Sequence, residues 1–305
     1  MVAPISKVAV LYGGGSLERS VSLVSGHEVA KALSKQGYEV FKIDTKGNFL
    51  EQLINFSPDV AFNALHGKWG EDGTIQGFLE VLRIPYTHSG ILASSIAMNK
   101  HLAKTVFKGR GLPVADHLVL KNGFVLEDIP FKYPYVLKPV SGGSSLDVYI
   151  LKNQNDWSRI KIDKNEIPTE FLIEPFIPGR ELTVTVMGDR ALSVTDIVSD
   201  TWYDYDAKYE LGGSRHILPA KIPNEITQLC LSYALKSHTS LGCRGVSRID
   251  FRWNEMLGAE GLFVLELNTQ PGMTPTSLVP EQAKYCGTSF ENLCKWLIED
   301  ASCDR

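Results

Sequence analysis

Residues 8–22, "VAVLYGGGSLERSVS", set an apolar, β-branched run against three glycines and then a helical pattern. A buried strand that breaks on glycine and continues as a helix is the opening unit of an α/β layer. The following residues keep the alternation. Residues 18–36 read as a helix stopped by Gly37, "EVFKID" as a second strand, "FLEQLINF" as a short helix and "DVAFNAL" as a third strand. The loop "HGKWGEDG" and a helix over Thr74–Leu82 come next. The pattern predicts a parallel sheet whose loops 13–16 and 66–73 meet at the carboxyl ends of the strands, where such sheets bind ligands.

The glycines also say what kind of ligand to expect. A phosphate fingerprint, G-x-G-x-x-G, uses its third glycine for close packing of helix on strand. Gly13 and Gly15 fill the first two slots, but the third is Glu18. A helix N-terminus carries about half a positive charge and suits anions. A carboxylate fixed there repels a phosphate and attracts a cation. The loop reads as a close-approach site for something bearing an ammonium.

Beyond residue 98 the texture changes. A helix in "MNKHLAKTVFKGRGLPV" leads to strand-like "HLVL", and "YPYVLKPVSGGSSLDVYIL" reads as a hairpin, strand–glycine loop–strand, with no helix after the glycines. Three more strands lie in "TEFLIEPFIPGRELTVTVMGDRALSVTDIV". The polar stretch 199–219 is long for a structureless connection and is expected to be a lid, mobile without ligand. A helix over 225–241, the strand pair "GVSRIDFRW" and "LFVLELN", and a helix over 289–300 complete the chain.

At 305 residues the chain fits two or three domains. Its 31 Lys+Arg against 35 Asp+Glu give a net charge of −4 and no electrostatic reason to expect nucleic acid or an anionic membrane as partner. No apolar run approaches the roughly 18 residues of a membrane span, and no signal peptide is visible, so a cytoplasmic location is expected. The five cysteines are odd in number and lack C-x-x-C spacing, which favours reduced thiols over disulfides or zinc.

The strongest chemical signal is the final strand pair. Glu266 and Asn268 are two residues apart and share a strand face, and Asp250 on the preceding strand can reach the same place. Three hard oxygen donors without His or Cys suit Mg²⁺. Solvated residues on an outer face are the alternative. It is disfavoured because "VLEL" is apolar, and a lone buried carboxylate there would cost about 2–7 kcal/mol. In "YVLKPVSGGSSL", Lys138 ends a strand, and Gly142, Gly143, Ser144 and Ser145 offer amides and hydroxyls to phosphates. Alone, that loop is equally a tight hairpin; beside a magnesium site it becomes an ATP lid. Lys100, Lys208 and Arg248 would each be a surface charge in isolation, but together they could neutralise a triphosphate. Glu174 and Glu181 could serve a ribose, and the backbone of 175–177 an adenine edge, although for each glutamate singly a solvated face is the better reading. In "NTQPGMTPTSLVPEQA", Gly272 offers an unobstructed amide, and Ser277 with the Leu278 amide could hold a carboxylate; a plain loop into a helix is as good a reading.

These motifs, in this order, resemble the D-alanine–D-alanine ligases of the ATP-grasp superfamily over residues 8–297. The most specific pieces are "HGKWGEDGTIQG" and "GCRGVSRIDFRW…FVLELNTQPGMTPTSLVP", supported by "GGGSLERSVSLVSG", "KPVSGGSS", "IEPFIPGREL" and "YDYDAKYELGGSRHILPA". The resemblance implies an N-terminal, Rossmann-like parallel-sheet domain (1–97) and a two-part ATP-grasp fold. Its central part, 98–178, would carry the glycine lid; its C-terminal part, 179–305, would carry the metal site and the loop 199–219. It implies ATP-dependent joining of two D-alanines through a D-alanyl phosphate, for peptidoglycan precursors, in a homodimer. Two Mg²⁺, replaceable by Mn²⁺, would be held by Asp250, Glu266 and Asn268. ATP would be met by Lys100, Lys138, Ser145, Glu174, Ile177, Glu181 and Lys208. Glu18 would anchor the first D-alanine's ammonium and link through Ser144 to Tyr209. Arg248 and the Gly272 amide would stabilise the oxyanion, Ser277 and Leu278 would take the second carboxylate, and His66 joins the substrate set. The "AKY" of the long loop, with Tyr209, favours a peptide over a D-lactate ester. Other carboxylate–amine ligases and a non-catalytic nucleotide-binding regulator are the alternatives. "SSLDVYI", "MNK" and Thr276 depart from the commonest family pattern without removing a proposed contact.

Overall fold

A computed structural model describes residues 5–120, 129–143, 147–159, 170–198 and 215–304. The first layer is a parallel sheet of order β2-β1-β3, built from β1 (Lys7–Tyr12), β2 (Glu39–Asp44) and β3 (Val60–Asn63). Strand β1 is buried on both faces, as a central parallel strand must be. Val8 and Val10 point to one side, where α1 (Arg19–Lys35) contributes Val29 and Leu33. Ala9 and Leu11 point to the other, against Leu53 of α2 (Phe49–Phe56) and Ile75 and Leu79 of α3 (Thr74–Leu82). Period-two alternation in one strand thus feeds two separate cores.

Helices α4 (Ile91–Met98) and α5 (Lys100–Gly109) lead into an antiparallel sheet of order β4-β7-β5-β6. Its strands are β4 (Leu118–Leu120), β5 (Tyr135–Pro139), β6 (Tyr149–Leu151) and β7 (Phe171–Pro175). Strands β5 and β6 pair antiparallel, so the glycines of 142–143 do sit in a hairpin connection. Nothing in "ILASSIAM" announces α4, because its eight residues carry no polar face to set a period.

The third sheet, β10-β9-β8-β11-β12, is antiparallel throughout. It contains β8 (Arg180–Met187), β9 (Arg190–Val198), β10 (Arg215–Ile217), β11 (Val246–Trp253) and β12 (Leu262–Asn268). The polar connection expected to run to residue 219 ends sooner: Arg215–Ile217 hydrogen-bonds along β9 as an edge strand. Three residues of mixed polarity, RHI, give no alternation to read. Leu182, Val184, Val186, Ile249 and Phe251 form the apolar face, packed against Ile226, Cys230 and Ala234 of α6 (Asn224–Leu241). The intervening residues, Thr183, Thr185, Arg248 and Asp250, fall on the opposite face. One sheet face is therefore core, and the other is polar, its threonines Thr183 and Thr185 buried against Gln282.

The chain then returns. Helices α7 (Leu278–Tyr285) and α8 (Phe290–Glu299) send Val279, Ala283, Leu293 and Leu297 into the core that contains Val8 and Val10. The last helix thus closes the first sheet, bringing the polar face of β11–β12 opposite loops 13–18 and 66–73. Among the described residues, no helix is long and apolar enough to cross a membrane.

Candidate active site

Loop 13–18 is held from behind. Gly13 and Gly14 both have left-handed φ, and a Cβ at Gly13 would stand 2.5 Å from Asp44 Oδ1 and 2.7 Å from Arg19 Nη1. Arg19 pairs with Asp44 through Nη2–Oδ2 at 2.5 Å and donates to the Gly14 carbonyl at 2.8 Å. The side-chain bond to Arg19 holds the Asp44 carboxyl well below the usual range, against the opposing pull of burial. Close packing of helix on strand, the third glycine's task in a phosphate fingerprint, falls instead to Gly26, where any Cβ would run into the Tyr12 side chain. That leaves position 18 open to a functional residue.

Glu18 occupies it, buried at 7 % exposure at the start of α1. The Ser16 hydroxyl donates to the His66 carbonyl at 2.7 Å, tying the two loops together. Gly67 has no room for a Cβ, which would collide with Glu18 Oε2, and Gly143 of the hairpin approaches the same carboxylate from another side. His66 is buried, with Nε2 3.0 Å from Ser25 Oγ and Nδ1 3.4 Å from Glu71 Oε1. Glu71, absent from the sequence prediction, is also buried.

Two adjoining cavities gather the remaining residues. The larger, about 750 Å³, is lined by Glu18, His66, Lys100, Arg248, Glu266 and Asn268, and by Gly272, Ser277 and Leu278. The smaller, about 80 Å³, is lined by Lys100, Lys138, Glu174, Ile177, Glu181, Asp250 and Glu266. Lys100, Gly142, Gly143 and Glu266 border both. Every predicted site residue that is described therefore faces one of two connected spaces. Ser144, Ser145, Lys208 and Tyr209 lie outside the described residues.

Antiparallel pairing sets Asp250 opposite Glu266 and Arg248 opposite Asn268. The register slips between Asp250 and Phe251, and Leu265 as well as Glu266 faces the smaller cavity. Asp250 is bound by Arg248 and by the Thr183 hydroxyl at 2.7 Å. Asn268 Oδ1 accepts from the Gln270 amide at 2.7 Å. No group of three His, Cys, Asp or Glu suited to a metal occurs among the described residues. Two carboxylates and an amide oxygen on one polar face remain a donor set of the hard-cation type.

Glu174 is not the solvated residue that the sequence favours for it taken alone. It is 3 % exposed and sits between Lys138, 2.6 Å from Oε1, and Lys104, paired to Oε2. Burial pushes its pKa up, but the two lysines outweigh burial and hold it down to about 2. Arg252 is a further residue that the sequence reading omits. It pairs with Glu181 at 3.5 Å and donates to the carbonyls of Ile177 and Gly179, shaping the turn that closes the smaller cavity. A signal for it exists, since Arg252 lies two residues from Asp250 on the same strand face. At the far wall, Ser277 is the residue before α7, so the first amides of a helix open into the larger cavity.

A parallel α/β layer followed by two antiparallel sheets that grip a cleft is the ATP-grasp architecture, and comparison with known proteins agrees. The family described as D-ala D-ala ligase C-terminus matches residues 106–299, and D-ala D-ala ligase N-terminus matches residues 51–89. The chain is 56 % identical over 301 residues to the D-alanine–D-alanine ligase of Ruegeria sp. (strain TM1040), covering 99 % of this chain and 98 % of that protein. It is 57 % identical over 300 residues to that of Cereibacter sphaeroides (strain ATCC 17025 / ATH 2.4.3), covering 98 % and 97 %. The crystal structure of the Bacillus anthracis D-alanine–D-alanine ligase complexed with ATP superposes with a TM-score of 0.82 at 30 % identity, over 97 % of each chain. The chain belongs to the D-alanine–D-alanine ligase family.

Proposed function

We propose that this enzyme joins two D-alanines at the expense of ATP, with the amino acids in the larger cavity and the nucleotide in the smaller. The observation that carries the reading is the shared border. A buried carboxylate for an ammonium and a lysine–glutamate cluster for a nucleotide open onto one boundary, made by Lys100, Gly142, Gly143 and Glu266. The smaller cavity falls below the roughly 300 Å³ of an ordinary small-molecule site, so nucleotide entry would widen it.

Glu18 would hold the first D-alanine's ammonium and so aim its carboxylate at the boundary. A carboxylate oxygen attacks the γ-phosphorus, the new P–O bond forms as the bond to the β-phosphate oxygen breaks, and ADP leaves. Lys100 and Lys138 would bind the charge on the phosphates. The second D-alanine's carboxylate would rest on Ser277 and the Leu278 amide at the N-terminus of α7, where the helix favours an anion. Its amine nitrogen attacks the acyl carbon and loses a proton; phosphate then departs with its bridging oxygen. Arg248 and the Gly272 amide would face the oxyanion that forms in between. Asp250, Glu266 and Asn268 would hold magnesium, which when bound neutralises phosphate charge. The same reading assigns Ser144, Ser145, Lys208 and Tyr209 to lid contacts, divides the chain into units 1–97, 98–178 and 179–305, and makes the enzyme a cytoplasmic homodimer.

The deciding experiment is phosphate release from ATP and Mg²⁺ with D-alanine, L-alanine or D-lactate added, and mass analysis of the product. Turnover with D-alanine alone, giving its dipeptide, is expected. An ester from D-alanine plus D-lactate, or turnover only with another amine, would move the substrate. No turnover despite ATP binding would point to a regulator.

A further inference from the structure

Lys104 lies one helical turn after Lys100 on α5, yet it serves a different place. It is 1 % exposed; its Nζ pairs with Glu174 Oε2 and donates to the Ala115 carbonyl at 3.3 Å. Glu174 gives its other oxygen to Lys138, itself 7 % exposed. Glu174 and Lys138 line the smaller cavity, while Lys104 stands behind it. Two ammonium groups around one carboxylate exceed what pairing requires, and an ammonium is costly to bury. Burial accordingly presses the Lys104 pKa down.

We propose that Lys104 is a positioning residue, the permanent counterion of Glu174, which allows Lys138 to exchange from Glu174 Oε1 to a nucleotide phosphate. The proposal rests on reading the smaller cavity as the nucleotide site. If Lys138 were the only partner, its departure would strand a buried carboxylate, the costly way to break an ion pair. With Lys104 in place the carboxylate stays ionised and paired, and keeps acceptor capacity for an amino group on the base. The excess positive charge is then the charge the phosphate takes up.

The test uses the full-length enzyme carrying Lys104→Met, Glu174→Gln, or both, with adenosine and ADP binding by calorimetry and kcat and KM for ATP. Lys104→Met is expected to weaken ADP binding and raise the ATP KM by about 10- to 100-fold, the scale of one charged hydrogen bond. Adenosine binding and kcat at saturating ATP should change by less than about threefold, within roughly 0.7 kcal/mol. The double variant should regain most of the ADP affinity, because a neutral amide in place of the Glu174 carboxylate does not claim Lys138. A structural role would instead weaken adenosine and ADP alike. That result, or unchanged ADP binding, or a double variant no better than Lys104→Met, overturns the proposal. If Lys104→Met does not fold, Lys104→Arg, which keeps the charge, and the double variant decide: both should keep the wild-type preference for ADP over adenosine, and its loss in either overturns the proposal. If Lys138→Ala binds ADP as wild type does, the nucleotide-site reading itself falls, and the exchange with it.

Discussion

Arg248 and Asp250 stand two residues apart on one face of β11, and the guanidinium meets the carboxylate in two bonds, Nε to Oδ1 at 2.9 Å and Nη2 to Oδ2 at 2.8 Å. This is the strong, fork-shaped form of an ion pair. The residue proposed for the oxyanion and one proposed for the metal hold each other here, so a cation at Asp250 would share the carboxylate with Arg248.

Arg248→Ala should therefore separate two properties. Turnover is expected to fall by about 100- to 1000-fold, the scale for an oxyanion donor. Mn²⁺ affinity in the presence of ADP, followed by titration, should be equal to wild type or tighter. Weaker Mn²⁺ binding would mean that Arg248 supports the metal site.

Glu18→Gln keeps the shape of a buried side chain and removes its charge. The KM for D-alanine at the first site should rise by about 10- to 100-fold, the scale of a charge-assisted hydrogen bond. ADP binding should stay near normal, because Glu18 lines only the larger cavity. An ADP affinity that collapses in this variant would refute the assignment of loop 13–18 to the amino acid.

Glu266 borders both cavities and is only half-buried, so its loss should spare the fold. Glu266→Ala is expected to lose phosphate release at any Mg²⁺ concentration while its thermal midpoint stays within about 4 °C of wild type, the shift of roughly 1–2 kcal/mol in a chain of this size. Chelating divalent ions should silence the wild type reversibly, with recovery on added Mg²⁺. Full activity of the chelated enzyme would remove the metal from the proposal.

His238 on α6 makes stability depend on pH. It is buried, 2.7 Å from Ser247 Oγ, and burial lowers its pKa to about 4. The unfolded chain takes up this proton near pH 6.5 and the folded chain only near 4. Its contribution is therefore complete above about pH 6.5 and is lost as the pH falls to 4, on the order of 3 kcal/mol in all. Urea denaturation of wild type and His238→Gln between pH 7 and pH 4.5 should show a steeper loss in the wild type. Parallel curves would contradict a neutral buried imidazole.

Much of this architecture can be read in the chain because it is local. Helix Thr74–Leu82 and strand EVFKID have the bounds the pattern predicts, since period and glycine act within a few residues. Glu266 and Asn268 share a face for the same reason, and "ELTVTV" sorts its leucine and valines to the core and its threonines to the opposite face, buried against Gln282 of α7. Glu18 in a glycine's slot is visible from spacing alone.

Other features depend on contacts between distant segments, and no period in the sequence reports those. Lys104 and Glu174 are 70 residues apart, so neither reveals that the other neutralises it. Gly26 shows its purpose only where Tyr12 presses against it, and β10 exists because β9 offers it an edge. Sequence determined the layers, the polar face of the last strand pair and the carboxylate of the first loop, through periodicity and backbone freedom. Tertiary structure decided that α8 closes the first sheet, that two cavities share a border, and which charges are buried, because burial is a property of what packs alongside.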